Sequence, residues 1–430
     1  SFCDNFQRMR KVQLTILFLN FLLTRQPKYR DCARDLTEEK EYFCANYESL
    51  STVIILAAVV LSAILERCEF KKSTFGLLAA NSLLALFRMQ NTNYLILSLL
   101  EEFLSITSMI LHNLTLISIL DRSSLRQKSV MIAIYRILQI LSTQVPSLIF
   151  HSSYEAKTGF RVAISLLDFA SASCLAMAFL KNFSDNEYAP VHNSESEHDR
   201  SNCSYSKGSF AQQVQLIARS LPIRTICVLI LIGILCDPVV KVINRLDLEH
   251  VHSNDLTQMS GLWLATELVA VIGFVVVTWI FDLRGVLITS MAVFTLVASI
   301  QGFIPISKSE TELAMIPGSH KYLFFAELLS ATILTMTCVL IIATSVHQGL
   351  RCFVLTLFTA SIYAFWPLFN KLLEVFGQRQ IYSPTFSLII GQSTTTVELP
   401  FIHFAVATII VLVVTLFVNL RRPNNDESVN

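Results

Sequence analysis

Long, uninterrupted apolar runs dominate this chain and are separated by short polar segments. A helix that crosses a bilayer needs about 20 mostly apolar residues, and on that measure the sequence predicts twelve membrane-spanning helices. Because the runs are continuous and do not alternate with polar residues, a transmembrane β-barrel is excluded. The predicted spans are Val12–Thr24, Leu50–Leu65, Ser73–Phe87, Tyr94–Leu120, Val130–Phe150, Phe160–Leu180, Ile226–Val240, Leu262–Phe281, Gly285–Phe303, Tyr322–Val346, Cys352–Phe376 and Val397–Leu420.

One long hydrophilic interval, residues 181–225, interrupts this pattern after the sixth span. Its stretch Asn193–Asn202 is rich in serine and charge, a composition typical of disordered linkers. The resulting 6+6 plan resembles the major facilitator fold, in which two six-helix bundles surround a site at the membrane midplane. The predicted units are an N-terminal bundle, a cytoplasmic linker, a C-terminal bundle and a cytoplasmic tail, at residues 1–180, 181–225, 226–420 and 421–430.

The two predicted halves carry similar charged loops after their second helix. Glu66 and Arg67 follow the second span, and Asp282 and Arg284 follow the eighth. An acid followed by bases at both positions is the pattern of major facilitator proteins, where such charges pair helix ends on the cytoplasmic face. The alternative interpretation is that any short cytoplasmic loop is charged.

Composition narrows the class of protein further. Hydrophobic residues make up 53% of the chain and charged residues only 15%, whereas a soluble domain averages about 25% charged residues. This excludes a water-soluble enzyme, and a net charge of +1 gives no bias toward nucleic acid. The sequence has no phosphate-binding loop, hydrolase motif or zinc spacing, so we expect no enzyme activity, no cofactor and no bound metal.

The loop charges predict the orientation of the chain. With the N-terminus inside, the inner loops carry more Lys and Arg than the outer loops, as expected for a plasma-membrane protein with both termini in the cytoplasm. Cys32 and Cys44 then share the first outer loop, a compartment that permits a disulfide. The sequence alone does not decide whether they pair.

Ionisable residues inside the predicted spans are candidates for function, because each costs about 2.5–3.5 kcal/mol to insert. The two basic residues are Arg136 and Lys371, although Lys371 could reach the interface. Glu327 stands early in its span, where it could be interfacial. The acidic residues inside spans or at their edges are Glu101, Glu102, Asp168, Asp237, Glu267, Glu327 and Glu374.

The fourth predicted span carries a polar stripe along one face, which predicts contact with a water-filled cavity or with a partner helix. Glu102 lies beside the stripe. In the adjacent span, Arg136 could pair with Glu101 or Glu102, either at a substrate site or as a purely structural ion pair. The stripe consists of Glu101, Ser105, Ser108, His112 and Thr115.

The fourth and fifth spans resemble the reduced folate and thiamine carrier family, a branch of the major facilitators. The spacing from Glu102 to Arg136 matches that of the family's helix-four Glu and the Arg that opens helix five. Leu36–Glu39 matches the end of the family's first outer loop, Glu66–Lys72 stands at its charged cluster, and Lys371 fits its helix-eleven Lys. The resemblance implies a substrate path lined by Glu101, Glu102, Ser105, Ser108, His112, Arg136 and Lys371.

This resemblance implies a carrier that moves a folate-like or thiamine-like vitamin by alternating access, with a co- or counter-transported ion. Several family positions differ, because Lys28, Ser105, His112 and Ile333 replace a Glu, an aromatic residue and two Arg residues. These changes indicate an altered organic substrate. The alternative function is a membrane receptor or scaffold that has kept the carrier fold without transport. The expected partners are a small organic solute and the lipid bilayer.

Overall fold

In the residues that it describes, the computed structural model consists of long helices. These residues are 53, 55–65, 70–90, 94–121, 125–150, 166, 169–170, 223–246, 253–303, 318–346, 350–362 and 398–417. The helices are α1 (Ile55–Leu65), α2 (Phe70–Gln90), α3 (Tyr94–Asp121), α4 (Leu125–Phe150), α5 (Ile223–Leu246), α6 (Ser253–Ile280), α7 (Leu283–Phe303), α8 (Gly318–Ser345), α9 (Arg351–Ile362) and α10 (Glu398–Leu416).

Each of these helices overlaps one of the predicted spans. The first predicted span lies outside the described residues, and the sixth is described only at Leu166, Phe169 and Ala170, which are helical. Several helices are longer than the apolar run that predicted them. For example, α6 begins at Ser253 and not at Leu262, because a helix can continue with polar residues beyond the hydrocarbon core.

The outer surfaces of the helices are apolar, as expected for contact with lipid. On α6 the side chains of Leu268, Ile272, Val276 and Trp279 form an exposed apolar stripe, whereas Phe274 is fully buried. The windows Leu283–Ile300 and Phe325–Ser345 are long and apolar enough to cross a membrane, and the apolar segments of six other described helices are shorter. Large exposed apolar side chains on α10 include Val406, Ile409, Ile410 and Val413, and Phe417 directly follows the helix.

Small residues allow two helices of the second half to approach closely. An ideal Cβ on Gly233 of α5 would lie 2.0 Å from the Ser361 Oγ of α9 and 3.3 Å from the Phe358 carbonyl oxygen. Ser361 in turn donates a hydrogen bond of 2.7 Å to that carbonyl. Close backbone approach of this kind is a main source of helix association in lipid, where the hydrophobic effect contributes little.

We therefore expect Gly233→Ala to destabilise the α5–α9 contact by about 1–3 kcal/mol, the usual cost of overpacking. The methyl group must displace the Ser361 hydroxyl or separate the helices. The thermal unfolding temperature of the purified protein in detergent measures this effect. Gly76→Ala is a matched control, because an ideal Cβ there has no neighbour within 4 Å. A second change, Ser361→Ala, should restore part of the lost stability, and failure to do so would contradict the packing explanation.

Polar groups stabilise helix ends on one side of the molecule, which the predicted topology assigns to the cytoplasm and which we call the inner end. The Asp282 Oδ1 accepts a hydrogen bond of 3.0 Å from the Gly285 backbone N–H and caps α7. Arg284 donates to the Leu416 carbonyl at the end of α10 (3.0 Å). Arg351 donates to the Val346 carbonyl at the end of α8 (2.7 Å). Arg284 thus links the start of α7 to the end of α10.

Candidate functional site between the two halves

The first-half helices α3 and α4 meet the second-half helices α6 and α8. The most extensive of these contacts runs between α4 and α6, and α8 also contacts α4 and α3. Polar side chains join the halves at several points along this surface. We call this surface the seam.

An ion pair crosses the seam between α4 and α6. The Arg136 Nη2 lies 2.6 Å from the Glu267 Oε1, and its Nε lies 3.1 Å from the Oε2, so both carboxylate oxygens are engaged. The remaining terminal nitrogen, Nη1, donates to the Gln139 Oε1 at 2.9 Å. Contacts in which two guanidinium nitrogens bind the two oxygens of one carboxylate fix the relative orientation of the two side chains as well as stabilising the pair.

The position and burial of the pair single it out from an ordinary surface contact. Arg136 and Glu267 lie close to the middle of helices of 26 and 28 residues, each about 40 Å long at 1.5 Å per residue. The Glu267 side chain is fully buried, whereas 25% of the Arg136 side chain is exposed. The pair is therefore buried on its acidic side and partly accessible on its basic side.

Consecutive residues of α3 add an aromatic and a polar contact to the site. His112 of α3 is buried and packs edge-on against Tyr135 of α4, with 6.0 Å between the ring centroids. The neighbouring Asn113 crosses the seam and donates a hydrogen bond of 3.0 Å to the Thr356 hydroxyl of α9. The polar stripe predicted on this helix is thus in contact with a partner helix at His112.

A third polar contact crosses the seam near the inner end. The Lys128 Nζ of α4 donates to the Ala343 carbonyl in the last turn of α8, at 3.3 Å. A cation is favoured at that position, because the unpaired carbonyls at the end of a helix carry partial negative charge. Lys128 lies eight residues before Arg136, which corresponds to about 12 Å along α4.

Two of the predicted path residues have described side chains: Arg136 lies at the seam, and His112 packs against Tyr135 within the first half. Glu101, Glu102, Ser105 and Ser108 are on α3, but their side chains lie outside the described set, so a pairing of Arg136 with Glu101 or Glu102 stays a prediction. Asp282 and Arg284 contact helix ends, as described above. The other predicted residues, which lie outside the described residues, are Lys371, Glu66, Arg67, Cys32 and Cys44.

Some residues of the site were not singled out by sequence. Glu267 was one of seven acids in or near predicted spans, and only its position well inside an apolar run marked it. Lys128 precedes the predicted fifth span, which starts at Val130, although it belongs to α4. Glu327, for which an interfacial position was considered, is 2% exposed. Among the described residues, no three His, Cys, Asp or Glu side chains are grouped as metal ligands.

Comparison with solved structures identifies the arrangement of the helices. A major facilitator superfamily transporter, FucP, in its outward conformation is 11% identical with a TM-score of 0.61, over 95% of this chain and 98% of that one. The proton:xylose symporter XylE is also 11% identical with a TM-score of 0.61, over 96% and 97%. The human organic anion transporter MFSD10 is 10% identical with a TM-score of 0.57, over 94% and 99%.

The fold is that of the major facilitator transporters. Matches of this length and TM-score confirm the predicted fold type. No protein-family model matches the sequence, and no curated protein matches it. The comparisons therefore support the broader fold and not the reduced folate and thiamine branch to which the sequence was likened.

Proposed function

We propose that this protein is a secondary carrier that moves a small organic solute across a membrane by alternating access. The observation that carries the proposal is the ion pair between Arg136 and Glu267, which joins the two halves near the middle of the helices. Intramembrane charges are costly and usually mark solute or ion paths. In carriers built from paired bundles, the solute site lies at the interface between them.

The seam contacts support a further part of the proposal, which is that the described state is closed toward the cytoplasm. Lys128 and Ala343 hold the halves together near the inner end, and Asn113 and Thr356 join them beside the ion pair. Contacts at these positions are those of a carrier that is closed toward the cytoplasm. In keeping with this, two solved structures with the same fold are described as outward or outward-facing: FucP and a bacterial homologue of the iron transporter ferroportin.

The chemistry of the seam favours a solute with an anionic group. The Arg136 side chain is 25% exposed while Glu267 holds the guanidinium plane in place, and the planar donor groups of an arginine suit a carboxylate or phosphate group. The neighbouring aromatic residues, His112 and Tyr135, can contact a ring. Folate-like vitamins combine an anionic tail with a ring. Thiamine-like vitamins would require the acids of α3, Glu101 and Glu102, to form part of the site.

Uptake into proteoliposomes tests this function. The purified protein is reconstituted and offered labelled folates, thiamine, and small organic anions and sugars, with empty liposomes as the control. Saturable accumulation of one of these solutes is expected. If every solute equilibrates only as fast as in empty liposomes while some bind to the protein, the receptor or scaffold function is supported instead. For the cellular assignment, surface labelling of intact cells tests whether the protein is in the plasma membrane with cytoplasmic termini.

Glu102→Gln is expected to lower uptake strongly while leaving the amount of protein at the cell surface unchanged. The physical reason is that the amide keeps the shape of the side chain and removes the charge that we assign to the substrate path. Saturation kinetics of uptake, corrected for surface protein, measure the effect. Normal kinetics in this variant would remove Glu102 from the path and leave Arg136 and Glu267 as the charged part of the site.

A further inference from the structure

A second carboxyl group lies inside the membrane region and takes no part in the Arg136–Glu267 pair. Glu327 of α8 is 2% exposed, and its Oε2 is buried without a hydrogen-bond partner among the described residues. The backbone of the same residue is engaged normally, since its carbonyl accepts a hydrogen bond of 2.9 Å from the Ser330 hydroxyl. Among the described residues, the lack of a hydrogen-bond partner therefore concerns the Glu327 side chain and not its backbone.

The depth of Glu327 follows from a contact between α6 and α8. An ideal Cβ on Gly273 would lie 3.4 Å from the Ile333 Cδ1, so the two helices touch at this point. Glu267 and Glu327 each stand six residues before it, which corresponds to about 9 Å along either helix. Because α6 and α8 run in the same direction in the predicted topology, the two carboxyl groups lie at about the same depth.

A carboxylate at this depth has two stable forms, one paired with a cation and one carrying a proton. Glu267 takes the first form through Arg136. Among the described residues no cation or hydrogen-bond donor engages the Glu327 Oε2, and an isolated ionised carboxylate away from water is costly enough that the group usually neutralises itself. A metal cation would need several oxygen ligands, whereas the described residues place no hydrogen-bonding group on the Glu327 Oε2.

We infer that Glu327 is the site at which this carrier binds the proton that drives transport, an inference that rests on the proposed carrier function. The proton comes from the aqueous phase on one side and converts the carboxylate to the neutral acid. In that form the group tolerates the buried environment described here. When the halves move and water reaches the group, the proton leaves to the other side.

The helices packed against α8 carry other ionisable groups, and the following contacts are described for them. Glu267 of α6 and Arg136 of α4 bind each other, and His112 of α3 packs on Tyr135. Lys128 and Arg284 bind helix ends, and Cys236 is a buried thiol of α5. The charged residues on these helices whose side chains lie outside the described set are Glu101, Glu102, Asp121, Arg126, Arg224, Asp237, Lys241, Arg245 and Asp255.

Infrared spectroscopy of the protein in lipid tests the inference without requiring a known solute. We expect the wild-type protein near neutral pH to show the C=O stretching band of a protonated carboxylic acid, shifted by exchange into D₂O. The difference spectrum between wild type and Glu327→Gln should contain this band, and Asp282→Asn, which changes an acid in a turn, should leave it unaltered. In Glu327→Asp the frequency of the band should change and the band should not vanish. This variant decides whether the band belongs to residue 327 if the glutamine variant fails to fold.

Two outcomes would overturn the proton site. One is the absence of the band from the wild-type minus glutamine difference. The other is loss of the band when sodium replaces choline at constant pH, which would make Glu327 a metal-cation site.

A transport measurement then tests coupling separately. For any solute that the reconstituted protein accumulates, an acid-outside gradient should speed uptake in wild type and have no effect in Glu327→Gln. Uptake that ignores the gradient in wild type would overturn the coupling role. If no solute is accumulated at all, the proposed transport function fails, whereas the infrared band still decides whether Glu327 binds a proton.

Discussion

Arg136→Ala is expected to reduce uptake to the level of liposomes without protein and to destabilise the fold by about 3–5 kcal/mol. This large effect arises because the variant leaves the fully buried Glu267 carboxylate without its cation, which is far more costly than the loss of a single hydrogen bond. By comparison, hydrogen bonds between membrane helices contribute about 0.6 kcal/mol on average. Thermal unfolding in detergent and uptake by the same preparation measure the two effects.

Changing both partners separates the structural role of the pair from its role in transport. In the double variant Arg136→Gln with Glu267→Gln no buried charge remains, so we expect stability close to wild type and no uptake. Arg136→Lys keeps the positive charge without the two-pronged geometry, and should fold while transporting more slowly. If the double variant transports at the wild-type rate, the ion pair is only structural and the solute path lies elsewhere.

Lys128→Ala is expected to shift the proposed carrier toward the state that is open to the cytoplasm by at least about tenfold. A hydrogen bond from a charged donor contributes about 1.5–3 kcal/mol, and 1.4 kcal/mol corresponds to a factor of ten. Lys128 makes this bond across the seam, so its loss weakens only the state in which the inner end is closed. Cys352 provides the measurement, because this residue is 2% exposed and lies four residues before Thr356, on the same face of α9.

The rate at which a water-soluble maleimide modifies Cys352, read by peptide mass spectrometry, should rise at least about tenfold in Lys128→Ala. Lys128→Arg keeps the charged donor and should stay near the wild-type rate. Arg284→Ala is the matched control, since it removes a cation from a helix end where both partners, α7 and α10, belong to the same half. An equal increase in Arg284→Ala would show that the thiol responds to general loosening and not to opening of the seam.

Much of the fold follows from the hydrophobic pattern because a bilayer restricts the chain to helices of a given length. The pattern locates the apolar part of each helix but not its polar extension. The predicted eighth span began at Leu262, whereas α6 begins at Ser253. The C-terminal boundary of α6 was predictable, since Asp282 caps the next helix within two residues.

The site could be predicted only in part, and the ion pair shows why. The cost of a charge in lipid singled out Arg136 from the sequence alone, but its partner is 131 positions away along the chain. Pairing across the seam depends on how the two halves face each other, which spacing within one half does not reveal. Asn113 and Thr356 were still less predictable, because neither carries a charge and each is an ordinary residue of its helix.

The Arg136–Glu267 pair also bears on how the proposed carrier would respond to voltage. One elementary charge that crosses a potential of 100 mV gains or loses about 2.3 kcal/mol, so an unpaired arginine in a moving bundle would make its motion strongly voltage-dependent. Here the opposite charges lie within 3.1 Å of each other and form an electrically neutral unit. If the pair stays together while the halves move, it contributes no net charge movement, and the transient current of the reorientation step then reports the charge of the solute and of the coupling ion.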